Sequence, residues 1–349
     1  MSLRVGVPAE LLGLAPDTGH GKVWRRTLDA IGRQAALVPL DDGGRPRRRL
    51  GRRPQVLLAD VFADLDPTRA PLVVQVHEAG WFEPELRELL DPRFYESIAP
   101  RTEAAVRAAA HVITPSECSR RDVVAGYGVD PARVHPVPHG VDPAFRPELP
   151  GGRELVARAR GGADAPYVLF ASALHPRKNL GTLRDAMAEL VGEGLPHVLA
   201  IVGGPAADRA DSSALERAAE AELEGTPGRV VRFSHTSQAD LAALMAGADA
   251  FCLPSLYEGF GLTALEAMAC GTPVVVSDRG SLPEVVSDAG LVVPPTVEDV
   301  HDALRRVLTD EELSSKLRAR GAQAARGFTW ERTAEGWLAV LRAALHCRP

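Results

Sequence analysis

Short apolar runs rich in β-branched residues alternate along the chain with longer stretches of helical periodicity. That alternation is typical of parallel sheets whose strands are joined by crossover helices. In the first half of the chain, six strands are predicted at residues 3–8, 35–40, 55–59, 72–77, 111–116 and 133–138. Together they predict one doubly wound α/β sheet.

A stretch rich in proline, glycine and alanine, residues 147–166, interrupts this pattern and predicts a domain boundary. Six further strands are predicted beyond it, at residues 167–172, 197–203, 231–234, 250–254, 273–277 and 290–294. Helical segments lie between them, for example at residues 180–191 and 238–246. Two successive sheets predict twin Rossmann-like domains, residues 1–150 and 151–330, with ligands at the carboxyl ends of the strands.

The end of the chain is predicted to be an amphipathic helix, and residues 331–349 are expected to pack back toward the first domain. The predicted apolar face consists of Trp330, Ala334, Trp337, Val340, Leu341 and Leu345. Because these residues recur every three or four positions, they lie on one side of a helix.

The composition is that of an ordinary globular protein, with 45% apolar and 25% charged residues among 349. A formal charge of −6, with both signs mixed along the chain, argues against nucleic acid as the main partner. No apolar run approaches the roughly 18 residues that span a bilayer, and the first ten residues lack the apolar stretch of a signal peptide. The expected location is the cytoplasm.

The cysteines give no sign of a disulfide framework or a zinc site. Cys118, Cys252, Cys270 and Cys347 are scattered, without a CxxC motif or a pairing with histidine. Cys252 and Cys270 lie in apolar runs, and we expect them to be small buried hydrophobic residues.

The segment EGFGLTALE has a glutamate at each end, Glu258 and Glu266. Gly259 and Gly261 permit positive φ, so the turn between them brings the N-terminus of a helix to the end of a buried strand. The unpaired N–H groups and positive dipole end of such a helix suit a phosphate. Carboxylates on either side could accept hydrogen bonds from sugar and ribose hydroxyls. From spacing alone, a loop glutamate and a surface helix glutamate remain an equal alternative.

The surrounding segment SLYEGFGLTALEAMACGTPVVVSDRGSLPEVVSDAGLVVPP resembles the donor-binding segment of the retaining glycosyltransferases of family 4, also called glycosyl transferases group 1. The signature of that family is two glutamates separated by seven residues. The similarity includes ALHPRKNLGTL, VVQVHE and VITPSECSRRDVVAGYGVDPARVHPVPHGVD, and it extends over residues 72–295 or so. It implies the GT-B fold, in which two Rossmann-like domains face each other across a cleft and a C-terminal helix crosses back to the first domain.

The resemblance also implies roles for residues of the second domain. Arg177 and Lys178 would clamp the donor diphosphate, where fixed cations stabilise the charge that the leaving group gains. Glu258 would contact the donor sugar and Glu266 the ribose hydroxyls. The backbone of the glycine turn would bind phosphate; its residues are Gly259, Phe260, Gly261, Leu262 and Thr263. An Arg–Lys pair in a loop is otherwise usually solvated.

In the first domain, His77 corresponds to the family histidine that lines the donor sugar site. The chain has His-Glu where His-Asp is common, which leaves the role of Glu78 open. Gly19 and Gly21 correspond to a glycine loop close to the donor phosphates and the acceptor. By the same analogy Phe233 lies near the base pocket.

Three more features lie within the resemblance or close to it. Ser116 is expected near the cleft, and the segment HGVD, residues 139–142, is expected between the domains or at a hinge. Trp81 and Phe82 follow His77 closely and could stack on an acceptor, with a buried anchor as an equal alternative.

An arginine-rich loop lies outside the resemblance. Six arginines fall within residues 45–53, from Arg45 to Arg53. The simplest interpretation is a solvated loop, and the alternative is peripheral contact with an anionic membrane surface or a phosphorylated acceptor.

The implied function is metal-independent transfer of a sugar from a UDP- or GDP-linked donor to an acceptor hydroxyl, with retention of anomeric configuration by front-face attack. No cofactor is required, and the acceptor could be a lipid carrier, an oligosaccharide or a natural product. Two alternatives are a nucleotide-sugar epimerase or hydrolase of the same fold and a non-catalytic sugar-nucleotide sensor. The two glutamates together with the Arg–Lys pair disfavour the sensor.

Overall fold

The structure is a computed structural model, and it describes residues 2–15, 18–41, 45–46, 53–159, 164–203, 230–233 and 236–347. The chain divides into two compact units. The first consists of Met1–Gly140 together with Phe328–Pro349, and the second of Val141–Gly327. The first unit thus ends before the proline-rich stretch in which the sequence places a boundary.

The first unit is built on a parallel sheet in the order β2-β1-β3-β4-β5-β6. Its described strands are β1 (Arg4–Pro8), β2 (Ala36–Leu40), β3 (Val56–Asp60), β4 (Leu72–Gln75), β5 (His111–Thr114) and β6 (Val134–Pro136). All six predicted strands of the first half are confirmed. β3 and β4 are buried along their whole length, as expected of strands covered on both faces.

The described helices of this unit up to residue 140 are α1 (Ala9–Leu12), α2 (Gly19–Gly32), α3 (Pro84–Glu88), α4 (Pro92–Ala108) and α5 (Glu117–Tyr127). Side-chain caps explain where the longer ones begin. The Thr18 hydroxyl accepts from the Gly21 N–H at the start of α2, and the Ser116 hydroxyl accepts from the Ser119 N–H at the start of α5. Ser116, expected near a cleft, is thus a helix cap.

The second unit has its own parallel sheet, in the order β12-β11-β10-β7-β8-β9. Its described strands are β7 (Tyr167–Ala171), β8 (Val198–Val202), β9 (Val230–Phe233), β10 (Ala250–Leu253), β11 (Val274–Ser277) and β12 (Leu291–Val293). These six predictions are also confirmed, with end positions that differ by at most one residue. Cys252 and Cys270 are buried in this unit, as expected.

The described helices of the second unit are α6 (Gly152–Ala159), α7 (Leu180–Gly192), α8 (Gln238–Gly247), α9 (Leu262–Ala269), α10 (Leu282–Val286), α11 (Val297–Thr309) and α12 (Glu311–Ala325). The apolar side of each longer helix packs on the sheet or on a neighbouring helix. Helix α9 ends at Ala269 with Cys270 as its C-cap, and Gly271 follows at φ +71°.

The last helix, α13 (Trp330–Ala344), belongs to the first unit and packs on α2. Trp337 is fully buried and meets Trp24 of α2 edge to face, with 5.2 Å between ring centroids. The predicted apolar face is right except for Leu345, which is 40% exposed because the helix has already ended.

Each sheet has a point at which the strand order reverses direction. In the first unit, β1 has β2 on one side and β3 on the other, so successive strands depart in opposite directions. In the second unit the same reversal separates β7 from β10. Loops that leave the carboxyl ends at such a point diverge and leave a crevice, which is where open α/β sheets bind ligands.

Candidate functional site

In the second unit, two loops meet at the carboxyl ends of β7 and β10. After β7 the chain makes a short 3-10 turn, Pro176–Lys178, which the His175 ring caps by accepting from the Arg177 N–H. Asn179 follows at φ +54°, and its side-chain amide donates to the Pro254 carbonyl beyond β10 at 3.2 Å. The Leu256 N–H also donates to the Arg177 carbonyl at 2.7 Å. These bonds fix the two loops against each other.

The loops bring together the cations and the carboxylate that the sequence singles out. Lys178 Nζ lies 2.6 Å from Glu258 Oε1, and the Ser255 hydroxyl donates to the same oxygen at 2.8 Å. Arg177 Nη1 lies 3.7 Å from Glu258 Oε2 and donates to the Tyr257 carbonyl at 2.9 Å. We call Arg177, Lys178, Ser255 and Glu258 the charged cluster.

Burial and charge act in opposite directions on Glu258. The side chain is buried, which raises the pKa of its carboxyl, but the nearby charges of Lys178 and Arg177 and the hydrogen bonds from Lys178 and Ser255 outweigh burial. The pKa of Glu258 is therefore lowered from its ordinary value. The cluster holds an ionised carboxylate and two cations at neutral pH.

A loop after β11 holds the backbone of Glu258. The N–H and the hydroxyl of Ser281 both donate to the Glu258 carbonyl, each at 3.0 Å. Gly280, at φ +60°, lies so close that a Cβ there would be 2.5 Å from the same oxygen. The sequence reasoning missed Ser255, Gly280 and Ser281, although all three fall within the segment that carries the resemblance.

Helix α9 begins four residues beyond Glu258 of the charged cluster. Gly261 is its N-cap at φ +93°, a backbone conformation that favours glycine, and a Cβ there would be 2.6 Å from Leu282 Cδ2. Glycine offers no side chain to cap the first-turn amides of Leu262 and Thr263, which remain suited to an anion. Glu266, 1% exposed, lies farther along this helix. Its burial and that of Glu258 exclude the alternative of two surface glutamates.

Phe233 lies apart from the charged cluster. It ends β9, which is two strands away from β7 in the sheet, and it is half-buried. Its carbonyl accepts from the Gly203 N–H at 3.1 Å. Phe233 therefore shares the carboxyl edge of the sheet with the cluster without touching it.

In the first unit, imidazole rings gather at the carboxyl edge of the sheet. His20 Nε2 of α2 lies 3.4 Å from Asp60 Oδ2 at the end of β3. The His20 and His77 ring centroids are 4.6 Å apart, and His139 lies 6.3 Å from His77. We call His20, His77 and His139 the histidine cluster. Asp60 and His20 were missed by the sequence reasoning; the visible signal was a carboxylate that ends a buried strand.

Two members of the histidine cluster are held neutral. Burial lowers the pKa of His77 well below its usual value, and the neighbouring His20 and His139 lower it further. Burial alone lowers the pKa of His139 to about 3. Gln75, at the end of β4, points its side-chain nitrogen at His77 Nδ1, 3.4 Å away. The site thus offers uncharged rings.

The glycines of α2 have separate reasons to be small. Gly21 is required by close packing, because a Cβ there would be 1.9 Å from the Ala15 carbonyl oxygen. Gly19 has open space around its Cα. The structure does not show a glycine loop aimed at a ligand, so that role of Gly19 and Gly21 stays a prediction.

Comparison with known proteins decides the family. Residues 156–326 match the model of the glycosyl transferases group 1, and residues 46–145 match that of Glycosyltransferase Family 4. A D-inositol 3-phosphate glycosyltransferase of Nocardioides sp. is 39% identical over 69% of the chain and 55% of its own length. The chain belongs to the glycosyl transferases group 1.

Other relatives agree with this assignment. An MMP alpha-(1->4)-mannosyltransferase of Mycolicibacterium hassiacum is 34% identical to this chain, over 78% of this chain and 62% of its own length. The chain thus spans between about half and two thirds of the length of the curated relatives it matches.

Solved structures confirm the expected fold class. A sucrose-phosphate synthase from Thermosynechococcus elongatus is similar with a TM-score of 0.76 at 20% identity, covering 98% of each chain. Anabaena HepE, in complex with UDP and glucose, gives a TM-score of 0.70 at 17% identity over 98% of this chain and 100% of HepE. The chain therefore has a GT-B-like fold with two parallel sheets.

The aromatic pair of the first unit differs between its members. Trp81 is 7% exposed and its indole N–H donates to the Tyr127 hydroxyl at 3.3 Å, so Trp81 is a buried anchor. Phe82 is 41% exposed and meets the Tyr127 ring edge to face. An acceptor role is left to Phe82 as a prediction.

The remaining expectations concern charge, metal and membrane. Of the arginine-rich loop, residues 47–52 lie outside the described residues. Among the residues that the structure describes, there is no group of three or more Asp, Glu, His or Cys side chains that could hold a metal ion. Among the described helices none has the length and apolar content to cross a membrane.

Proposed function

We propose that this chain is a retaining glycosyltransferase that moves a sugar from a nucleotide diphosphate sugar to an acceptor hydroxyl. The observation that carries the proposal is the charged cluster, which lies at the strand-order reversal of the second sheet beside the N-terminus of α9. Cations, unpaired amides and a carboxylate in one crevice match the diphosphate and the hydroxyls of such a donor.

The chemical step breaks the bond between the sugar C1 and the diphosphate oxygen. Arg177 and Lys178 stabilise the negative charge that develops on that oxygen, and the first-turn amides of α9 add to the effect. The acceptor oxygen bonds to C1 on the face that the leaving group departs from. Because attack occurs on that face, the configuration at C1 is retained. The acceptor proton passes to the departing phosphate oxygen, which balances the charge.

Donor binding must rearrange the charged cluster. Lys178 is now 2.6 Å from Glu258, and a diphosphate would compete for it. Because Arg177 and Ser255 also contact Glu258, the carboxylate stays ionised when Lys178 turns away, and it can then accept hydrogen bonds from the donor sugar. Glu266, farther along α9, is proposed to accept from the ribose hydroxyls.

The first unit is proposed to bind the acceptor and to present His77 to a substrate hydroxyl. Relatives that act on D-inositol 3-phosphate or as mannosyltransferases support a hexosyl donor and a polyhydroxylated acceptor. The likeness to HepE with UDP bound is compatible with a uridine donor, and a guanosine donor remains the alternative.

A thermal-shift panel of UDP-, GDP-, ADP- and dTDP-sugars tests the donor site. At 100 times its Kd, a donor that binds only the native state adds about 2.7 kcal/mol of stability. We expect one nucleotide class to stabilise the wild-type protein, and Glu266→Ala to lose most of that shift. Glu312→Ala, at an exposed position of α12, is the control and should keep it.

Nucleotide release separates transfer from its alternatives. A glycosyltransferase releases nucleoside diphosphate in proportion to the acceptor added, whereas a hydrolase releases it without acceptor. A sensor binds donor and releases none. If no sugar nucleotide shifts the melting temperature of the wild-type protein, the donor site is wrong.

A further inference from the structure

We propose that Gln75 is a positioning residue that fixes His77 in the tautomer with its proton on Nε2. His77 then presents an N–H donor, not an acceptor, to the substrate. The consequence for catalysis rests on the proposed function, whereas the tautomer itself is a property of the first unit alone.

The backbone places the two side chains on the same side of the sheet. Gln75 is the last residue of β4, and the ladder continues one residue further because the Val76 N–H donates to the Ile113 carbonyl at 2.9 Å. In extended backbone, residues two apart point the same way. Gln75 is 0% exposed, so its side chain cannot turn to solvent. Its Nε2 instead lies 3.4 Å from His77 Nδ1.

The proton on His77 can be assigned by counting donors. A neutral imidazole has one N–H and one acceptor nitrogen, while an amide nitrogen only donates. The ring is neutral because burial, and then the adjacent His20 and His139, hold its pKa well below the usual value. With Gln75 Nε2 donating to Nδ1, the single ring proton is on Nε2.

The other ring nitrogen of His77, Nε2, accepts no such bond from Gln75. Nε2 is buried and has no hydrogen-bond partner among the residues that the structure describes. A buried donor is normally paired, and an exception calls for an explanation. His77 lies beside the strand-order reversal, next to His20, which itself contacts Asp60. A substrate oxygen that accepts from Nε2–H would supply the missing partner.

The opposite amide orientation makes the opposite prediction. Were the Gln75 oxygen to face His77, it would accept from Nδ1–H, and Nε2 would become a bare acceptor able to take a proton from a hydroxyl. The two orientations are distinguished only by their hydrogen bonds. The proposal therefore depends on which nitrogen of the His77 ring carries the proton.

Long-range 1H–15N correlation spectra of 15N-histidine-labelled protein read this out directly, with His77→Phe to assign the signals. For the wild-type protein at pH 7.5 we expect a protonated Nε2 and an acceptor Nδ1. In Gln75→Glu the carboxylate can only accept, so the proton should move to Nδ1 and the pKa of His77 should rise. In Gln75→Leu, of similar volume, the signals should show both tautomers.

Two outcomes overturn the proposal: a wild-type His77 protonated on Nδ1, or a tautomer that Gln75→Glu leaves unchanged. The wild-type spectrum alone can give the first, so failure of a variant to fold does not protect the proposal. Gln34→Glu, exposed at the end of α2, is the matched control and should leave the spectrum unchanged.

Kinetics link the tautomer to the reaction. We expect Gln75→Glu to lower kcat at least tenfold and to change the donor KM less than threefold, since the nucleotide is proposed to bind the second unit and Gln75 belongs to the first. A merely structural role would lower the melting temperature without changing the tautomer. If the chain transfers no sugar, the proposed function fails while the spectra still decide the tautomer.

Discussion

The two sheets carry different polar groups at corresponding points. At the reversal of the second sheet, two cations neutralise a buried carboxylate through contacts of 2.6 and 3.7 Å. At the first sheet, His77 and His139 avoid charge because their burial makes protonation costly. The second unit balances the buried Glu258 carboxylate with nearby cations, whereas the first unit keeps the buried rings of His77 and His139 neutral.

This difference matches what each unit is proposed to bind. Ions held in pairs can be released toward a charged ligand, since the ligand takes over the role of the partner. Neutral rings hold donors and acceptors in fixed directions and so distinguish hydroxyl groups. We therefore expect the second unit to control binding of the diphosphate, and the first to control orientation of a hydroxyl.

Replacing the lysine of the charged cluster should have the largest effect. Lys178→Met keeps the length of the side chain but removes the charge that is proposed to stabilise the leaving oxygen. Loss of one such stabilising group typically lowers kcat by about 10²–10³-fold. Turnover with saturating donor measures this. Lys316→Met, at an exposed position of α12, should be unaffected, and a loss below tenfold for Lys178→Met would contradict the role.

The stability of the ion pair provides the next test. Lys178→Met leaves Glu258 with Arg177 as its remaining cation, and Glu258→Gln leaves both cations without a carboxylate. Because a buried charge then has less compensation, each variant should lose roughly 3 kcal/mol of unfolding free energy. The double variant should lose less than the sum of the two single variants, because the contact between Lys178 and Glu258 can be lost only once. Urea unfolding followed by circular dichroism measures all three. Additive losses would show that the two side chains do not depend on each other.

Features of the fold and site that depend on neighbouring residues in sequence could be predicted, and contacts between residues distant in sequence could not. All twelve strands followed from local pattern. The contact between Lys178 and Glu258 depends on β7 lying next to β10, which local pattern does not specify and which only the resemblance suggested. Ser281 and Gln75 look like ordinary polar residues in sequence. Their roles appear only when folding brings them to the Glu258 carbonyl and to His77 Nδ1.

Acid should destabilise the first unit as His139 of the unfolded chain takes up a proton. His139 has a folded pKa of about 3, so below its unfolded pKa of about 6.5 the unfolded chain takes up a proton that the folded chain refuses. Stability therefore falls between pH 7.5 and pH 5, by about 2 kcal/mol for this residue. The lowered pKa of Glu258 preserves its contribution above about pH 4.5 and loses it only at lower pH.

The tryptophan residues allow the loss of stability in acid to be measured for the first unit alone. Trp24, Trp81, Trp330 and Trp337 are the only four in the sequence, and all lie in the first unit. Tryptophan fluorescence during urea unfolding at pH 7.5 and pH 5 should show the loss for the wild-type protein, and His139→Asn should reduce it. An equal loss in both proteins would mean that His139 is not the group responsible.

The loop behind Glu258 should respond more moderately. Gly280→Ala forces a side chain onto positive φ and against the Glu258 backbone, so we expect a loss of about 2 kcal/mol together with weaker donor binding. Gly192→Ala, exposed at the end of α7 with open space around it, is the matched control. Melting temperature and donor affinity would both have to stay unchanged for the packing argument to be wrong.

The smallest effect is expected from the hydroxyl on the same loop. Ser281→Ala removes one donor to the Glu258 carbonyl and leaves the Ser281 N–H in place. The cost should be near 1 kcal/mol, since the carbonyl keeps one partner. Thermal unfolding checks the value, and Ser281→Thr, which retains the hydroxyl, should recover part of the loss.

The chain enters the first unit twice, and this has a consequence for biosynthesis. The second unit, Val141–Gly327, is a continuous segment, whereas the core of the first unit includes Trp337, Leu338 and Leu341 from α13. Every residue of the second unit is synthesised before α13, whereas the first unit is begun earlier and must wait for α13 to complete its core. Until α13 arrives, Trp24 and its neighbours on α2 have no cover. We therefore expect the nascent first unit, not the second, to be the part that depends on chaperones.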